Sequence, residues 1–257
     1  MGVRYQKGQQ GWTKRNDGGF TIIEVVLFLG ITGMLAVGLL GGWTTMINTQ
    51  RYRDSVKTVQ SFIQQQYNLV YNVENGRSSS LACSGANVSD SGASSARGQS
   101  DCVLMGRFIQ VQDGNRLTVR AIVGQDLDDN TIDVADVDLI KDSNPTLIPE
   151  DFDIGLTYTS LNVPWGATIV DEDGDPMTFS IAIIRSPVNV SGSVHTYTVT
   201  DGRPLSGMVD LANESSDVNL CLDSANSFTG NKMGVAIRAK ASSQSAIQII
   251  TDAEGTC

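Results

Sequence analysis

One apolar run near the N-terminus constrains this 257-residue chain more than any other feature. Residues 20–43 carry a single ionisable side chain, the carboxylate of Glu24. A helix needs about 20 apolar residues to cross a bilayer, so the run predicts a membrane-spanning helix. Residues 1–19 hold four basic residues against one acid, and this basic flank would keep the N-terminal side in the cytoplasm.

Two general interpretations of the run leave Glu24 unexplained. A secretory signal cleaved after Gly38 would have an apolar core of about 7–15 residues, which is shorter than this run. An uncleaved signal anchor has a suitable length. In both cases a carboxylate within the apolar span would cost roughly 2.5–3.5 kcal/mol, and it is rare there without a partner.

A third interpretation accounts for the glycine and the glutamate together. The segment Gly19-Phe20-Thr21-Ile22-Ile23-Glu24 closely resembles the processing site of the type IV pilin family. In that family a prepilin peptidase cuts after the glycine on the cytoplasmic face and methylates the new amino terminus. The family also includes the pseudopilins of type II secretion and the minor pilins of DNA-uptake machines. The resemblance implies that residues 1–19 are a leader peptide removed between Gly19 and Phe20.

The resemblance also implies a role for Glu24, which is the fifth residue counted from Phe20. Cleavage would create a cationic α-amino group in an apolar setting, and N-methylation would leave it cationic. A carboxylate from a neighbouring subunit can neutralise that cation, and such a pair is much stronger in a low dielectric than in water. Glu24 is therefore expected to act in assembly, where its ion pair forms only when subunits stack.

The helical pattern continues beyond the apolar run. Aliphatic side chains at spacings of three, four and seven share one face of a helix, namely Val56, Val59, Ile63, Val70 and Val73. Asn75-Gly76 is a helix stop signal. A continuous helix is predicted over 20–75, membrane-spanning over 20–43 and amphipathic over 44–75. The middle of the family's helix commonly has a proline, and here glycines are expected to be the weak points instead: Gly30, Gly33, Gly38, Gly41 and Gly42.

Beyond the helix the apolar pattern changes to a period of two, which predicts a β-rich head over 76–257. Asp113-Gly114-Asn115 separates strands predicted at 103–112 and 116–123, an arrangement typical of a hairpin. Further strands are predicted at 155–161, 165–170, 177–184, 194–200, 218–222, 233–239 and 246–251. The predicted fold class is therefore α+β and pilin-like, with a long N-terminal helix followed by an antiparallel, sandwich-like head.

The charge of the chain is concentrated in the head. Removing a +3 leader from the total of -10 leaves -13, and residues 20–75 are neutral, so all of this charge falls within 76–257. Residues 124–154 form an acidic insertion with ten Asp and Glu against Lys141 alone, predicted as mostly surface loop with a short helix near 132–140. An acidic head disfavours nucleic acid as a partner.

Four cysteines allow three pairings. A head outside the cytoplasm would keep disulfides, and the sequence-local pairing is favoured, Cys83 with Cys102 and Cys221 with Cys257. The second pair resembles the disulfide-bounded C-terminal region of many pilins. Reduced or differently paired cysteines are the alternative.

Metal and catalytic sites find little support. Asp171, Asp173 and Asp175 resemble the acidic half of a calcium loop, but the later glutamate of such a loop would fall inside a predicted strand. A hairpin turn with solvated acids is favoured, and calcium binding is the alternative. His195 is the single histidine, which excludes multi-histidine metal sites, and it is predicted at a strand surface. With no nucleophile constellation, neither an enzyme nor a cofactor is expected.

The resemblance implies a structural subunit of a type IV pilus-like filament, assembled through its hydrophobic N-terminal helix. Its partners would be the prepilin peptidase, other pilin subunits, the membrane and the inner-membrane assembly platform. Before assembly the chain would cross the cytoplasmic membrane once with its head outside, and afterwards it would lie in a cell-surface filament. The alternatives are a type II secretion pseudopilin, a minor tip pilin acting in adhesion or DNA uptake, and an uncleaved membrane-anchored ectodomain.

Overall fold

The computed structural model describes most of the chain outside the N-terminal 18 residues and several loops. The described residues are 19–72, 80–84, 87–92, 102–125, 127, 135–149, 159–171, 173–186, 193–199, 216–224, 232–251 and 257. The leader, apart from Gly19, and the predicted helix end at 73–76 lie outside them. Much of the acidic insertion and the first part of the strand predicted at 155–161 also lie outside them.

A long N-terminal helix precedes antiparallel β-sheets, so the arrangement is α+β. The helices are α1 (Ile22–Tyr71) and α2 (Asp136–Asp142). The strands are β1 (Leu81–Ser84), β2 (Asn87–Asp90), β3 (Cys102–Gln112), β4 (Arg116–Gln125), β5 (Thr146–Leu147), β6 (Thr159–Asn162), β7 (Thr168–Val170), β8 (Phe179–Arg185), β9 (Val194–Val199), β10 (Val218–Asp223), β11 (Met233–Ile237) and β12 (Ile247–Thr251).

The chain divides into two compact units, Met1–Ile47 and Asn48–Cys257. Helix α1 begins in the first unit and ends in the second. We call its residues 22–47 the N-terminal half and its residues 48–71 the C-terminal half. The helix runs through all five glycines of the apolar run without a break, so the expected weak points do not interrupt it.

We call the second unit, Asn48–Cys257, the head unit. Its described residues form three sheets, and every strand pair among them is antiparallel. The largest has six strands in the order β5-β4-β3-β8-β9, with β6 also pairing β4. A four-stranded sheet has the order β12-β11-β10-β7, and β1 pairs with β2 alone. The predicted hairpin is confirmed as β3 and β4, joined at Gly114, whose φ of 63° is a conformation that favours glycine.

The main core is built around the C-terminal half of α1. The predicted stripe is confirmed over the described residues, since Val56, Val59, Ile63 and Val70 are buried. These side chains share one apolar cluster with residues of both larger sheets, including Ile109, Leu117, Ile181, Leu220, Val235 and Ile247. The C-terminal half of α1 is therefore an integral part of the head core.

A second, smaller core covers the opposite face of the six-stranded sheet. Ile140 of α2 packs there with side chains from β3, β4, β8 and β9, namely Met105, Phe108, Ile122, Ala182, Ile184 and Tyr197. Val137 and Leu139 are also buried. The short helix predicted near 132–140 is present as α2. The prediction of mostly surface loop fails for residues 135–149, because α2 packs its apolar side chains on the sheet while Asp138 and Asp142 are exposed.

Strand positions were predicted better than the structure around the first disulfide. Five of the strands, β8 to β12, have ends within two residues of the predicted bounds. The segment predicted as strand at 165–170 begins instead with the turn Pro164–Gly166, and only Thr168–Val170 is a strand. Strands β1 and β2 were not predicted, because each has only four residues and neither carries an alternating apolar pattern.

Candidate functional site

The N-terminal half of α1 exposes an almost continuous apolar surface. Phe20 is 80% exposed and Met34 is 82% exposed, and the most apolar stretch of the helix has no buried residue. By length and composition this helix is able to cross a membrane, which makes it a candidate membrane anchor. An apolar surface of this extent on a soluble monomer is unfavourable in water and marks a membrane or a protein contact.

Glu24 is the one ionisable side chain among the described residues of the first unit. It is exposed and lies in the first turn of α1. Its backbone N–H donates to Thr21 Oγ1 at 3.3 Å, so Thr21 caps the helix. Thr21-x-x-Glu24 also matches the capping-box pattern, which was readable in the sequence. A carboxylate in the first turn stabilises a helix. A test of Glu24 in assembly must therefore separate this stabilisation of the helix from the ion pair between subunits.

Tyr52 joins α1 to the four-stranded sheet of the head. Its buried hydroxyl donates to the carbonyl oxygen of Leu222 at 2.7 Å and accepts from the N–H of Met233 at 2.7 Å. Leu222 and Met233 are paired residues at the end of the β10–β11 ladder. The helix therefore completes the hydrogen bonding at this end of the sheet.

Tyr67 joins α1 to the six-stranded sheet. Its hydroxyl lies 2.7 Å from Thr196 Oγ1 on β9, and both side chains are buried. Burial raises the pKa of Tyr67 well above its usual range, and the hydrogen bond with Thr196 opposes this in part. The C-terminal half of α1 is thus tied to both sheets by buried tyrosine hydroxyls as well as by apolar contacts.

The structure pairs Cys83 with Cys102 and Cys221 with Cys257, which is the pairing favoured from the sequence. The first bond joins β1 to the start of β3, and the second holds the C-terminal residue against β10. Gly234 on β11 makes room for this second bond, since a Cβ there would lie 2.8 Å from Cys257 Sγ.

The aspartates considered for calcium form a tight turn. Asp171 Oδ1 accepts hydrogen bonds from the N–H groups of Asp173 and Asp175 at 3.1 and 2.9 Å. Gly174 has a φ of 90°, and Val170 and Pro176 form a bridge on either side. Within the described parts of the chain, no group of three or more acidic, histidine or cysteine side chains is arranged to hold a metal. The geometry is that of a hairpin turn.

His195 lies on a strand, β9, but not at the strand surface that the sequence predicted. It is partly buried, and its Nε2 lies 3.7 Å from Asp136 Oδ2 on α2. Ser193 Oγ also donates to that carboxylate. The alternating pattern of β9 predicted its strand, but the covering of this face by α2 depends on residues about 60 positions away and left no local signal.

No protein-family model, curated protein or solved structure matches this chain.

Sequence patterns also missed an exposed aromatic side chain in the head unit. Trp165 lies in the turn Pro164–Gly166 and is 55% exposed. The guanidinium carbon of Arg51 lies 5.0 Å from the centroid of the Trp165 ring, within the range of a cation–π contact. A lone tryptophan after a proline gives no periodic signal, so only the folded chain reveals this pair.

Proposed function

We propose that this protein is a structural subunit of a type IV pilus-like filament, processed after Gly19 by a prepilin peptidase and assembled through α1. Its activity is assembly, and no catalytic step is assigned to it. The observation that supports this most is the fully exposed apolar surface of the N-terminal half of α1, which carries a single carboxylate, Glu24. That half needs an apolar environment from outside the chain.

A bilayer and a bundle of packed helices both supply such an environment. In the bilayer the apolar side chains face lipid, and in a filament the same side chains pack against neighbouring copies. The subunit can therefore move from one environment to the other without exposing the surface to water. Membrane storage followed by polymerisation is consistent with this requirement.

Glu24 makes assembly specific. An unpaired carboxylate in an apolar environment is costly, and its most economical partner is a cation brought by another subunit. Cleavage after Gly19 would place such a cation at the amino group of Phe20. Pairing of this group with Glu24 of a neighbour would favour the packed state over the isolated subunit and would set the stagger between subunits.

The head is suited to a load-bearing assembly because its main core includes the C-terminal half of α1. A force applied to that helix is resisted by buried aliphatic side chains and by the hydrogen bonds of Tyr52 and Tyr67. A flexible tether between helix and head would give no such resistance. Subunits of a filament need a joint of this kind.

The decisive experiment is to extract the protein from membranes and determine its mature N-terminus by mass spectrometry. We expect the mature chain to begin at an N-methylated Phe20. A Gly19→Leu variant, which blocks cleavage, is the matched control and should retain residues 1–19 and form no filaments. A mature chain that begins after Gly38, or one that keeps its N-terminal residues in the wild type, would contradict the proposal.

A further inference from the structure

The head unit presents Trp165 and Arg51 beside Asn48, the first residue of that unit. These three residues line the same shallow pocket, together with Tyr52, Ser55 and Ala167. The indole is held against the guanidinium at 5.0 Å and still exposes 55% of its surface. The result is a flat apolar ring with a positive charge over one face.

The turn that carries Trp165 is held firmly by buried groups. Ser55 Oγ, which is fully buried, donates to the carbonyl oxygen of Pro164 at 2.9 Å. The N–H of Val163 donates to the carbonyl oxygen of Asn115 at 2.8 Å. These two hydrogen bonds hold the backbone of the turn, so the turn does not depend on packing of the indole in the core.

Two costs accompany tryptophan at this position. Its φ of 61° lies in the left-handed region, which costs a residue other than glycine about 1–2 kcal/mol. A large aromatic side chain is also left in water. Trp165 is not part of any buried cluster, so a glycine or asparagine would remove both costs without opening the core. Strained residues of this kind gather at functional sites, which indicates a contact outside the chain.

We infer that Trp165 and Arg51 dock on the phospholipid headgroup layer of the bilayer that holds the N-terminal half of α1. This inference rests on the membrane step of the proposed function and not on filament assembly. Arg51 follows Trp43, the last residue of the apolar run, by eight positions, so insertion of the run keeps Arg51 close to the membrane surface.

The chemistry of the pair matches the headgroup layer. Tryptophan is enriched at the boundary between lipid and water because its ring is apolar and its N–H is a donor. The arginine guanidinium donates to phosphate oxygens with good geometry. Residues 44–57 carry three basic side chains and one acid, whereas the head as a whole is acidic, so the segment that contains Arg51 has the charge that suits phosphate groups.

The test is fluorescence quenching of the full chain in phosphatidylcholine vesicles. The chain has three tryptophans, Trp12, Trp43 and Trp165, so a W12F/W43F variant reports on Trp165 alone. A matched W12F/W165F variant reports on Trp43. We expect Trp165 to lose emission in vesicles whose acyl chains are brominated near the headgroup, and to lose less when bromine lies near the chain ends. Adding Arg51→Gln to the first variant should reduce this loss.

The quenching results test the docking of Trp165 separately from the membrane insertion of α1. Quenching of Trp43 without quenching of Trp165, with Trp165 open to aqueous iodide, would overturn the inference and leave the membrane step intact. Trp165 that is shielded from iodide yet insensitive to brominated lipid would also overturn it, and would point to a protein contact. If neither tryptophan were quenched, the membrane step itself would be wrong.

Discussion

The more hydrophobic half of α1 is the less buried of its two halves. Residues 22–47 are the more apolar, yet almost all of them are exposed. Residues 48–71 are richer in polar side chains, yet nine of them are buried. Within the described residues, the head core contains side chains of the second half. In the second half, an apolar stripe on one side of the helix predicts which residues are buried in the head core. In the first half, apolar residues lie all around the helix, and this composition indicates a contact with lipid or with other subunits.

Removing the carboxylate from the N-terminal half should have the largest effect. Glu24→Gln is expected to abolish filament formation, because the amino group of Phe20 in the neighbouring subunit then has no anionic partner. Cleavage after Gly19 and membrane insertion should be unchanged. Filament yield and the mature N-terminal sequence are the measurements.

Thr21→Ala is the control that separates assembly from helix capping. It removes the side chain that accepts the N–H of Glu24 and should cost about 1 kcal/mol of local helix stability while filaments still form. Loss of filaments with Thr21→Ala and not with Glu24→Gln would show that capping, and not the ion pair, is the important contribution.

The same substitution in the two halves should have very different effects on the head. Ile63→Ala removes a fully buried side chain of the main core and should lower the free energy of unfolding by about 2–5 kcal/mol. Ile31→Ala removes an exposed side chain of the N-terminal half and should leave the unfolding of the head unchanged. Denaturant unfolding of the detergent-solubilised chain, followed by a β-sheet signal, compares the two. Equal losses would mean that both halves support the head.

A smaller effect is expected from the polar joint at Tyr52. Tyr52→Phe leaves the N–H of Met233 without this hydroxyl and should lower the free energy of unfolding by about 1–3 kcal/mol. Tyr71→Phe, at an exposed position on the same helix, is the matched control and should change it by less than about 0.5 kcal/mol. A Tyr52→Phe variant as stable as its control would show that the joint is held by apolar packing alone.

The smallest effect is a pH dependence at Tyr67. Its pKa is raised by burial in the folded state, whereas an unfolded tyrosine has a pKa of about 10. The folded state therefore keeps its proton when the unfolded state loses it, so this contribution to stability is complete below pH 10 and is lost as the pH rises above that value. Unfolding free energies between pH 8 and pH 11 should fall more steeply for the wild type than for Tyr67→Phe. Parallel curves would contradict this assignment.

Local patterns were sufficient for much of the fold. The stripe through Val56 and Ile63 predicted which side of α1 is buried, and the turn at Gly114 predicted the longest hairpin, because both depend on neighbours within a few residues. The favoured cysteine pairing is also local in sequence. The burial of α2 and the approach of Asp136 to His195 were missed, since they depend on how distant segments cover one sheet face.

Some features of the candidate site were also predictable from the sequence, and others were not. The apolar run and Glu24 are sequence features, because membrane affinity and charge depend on composition and position along one helix. The cap from Thr21 was also readable, as a residue pattern. The Trp165 pair was not, because Arg51 and Trp165 are more than 100 residues apart and meet only through the turn that Ser55 holds.

The sequence by itself determined that the chain has a long helix with an apolar first half, a patterned second half and a β-rich acidic remainder. These properties follow from the order of residue types along a single element. Only the tertiary structure decided that the second half of the helix lies within the head core. It also decided that Tyr52 and Tyr67 form hydrogen bonds with residues of two different sheets. It decided as well that Arg51 and Trp165 lie against each other. Those contacts join distant segments, and their energies depend on three-dimensional packing that no local pattern contains.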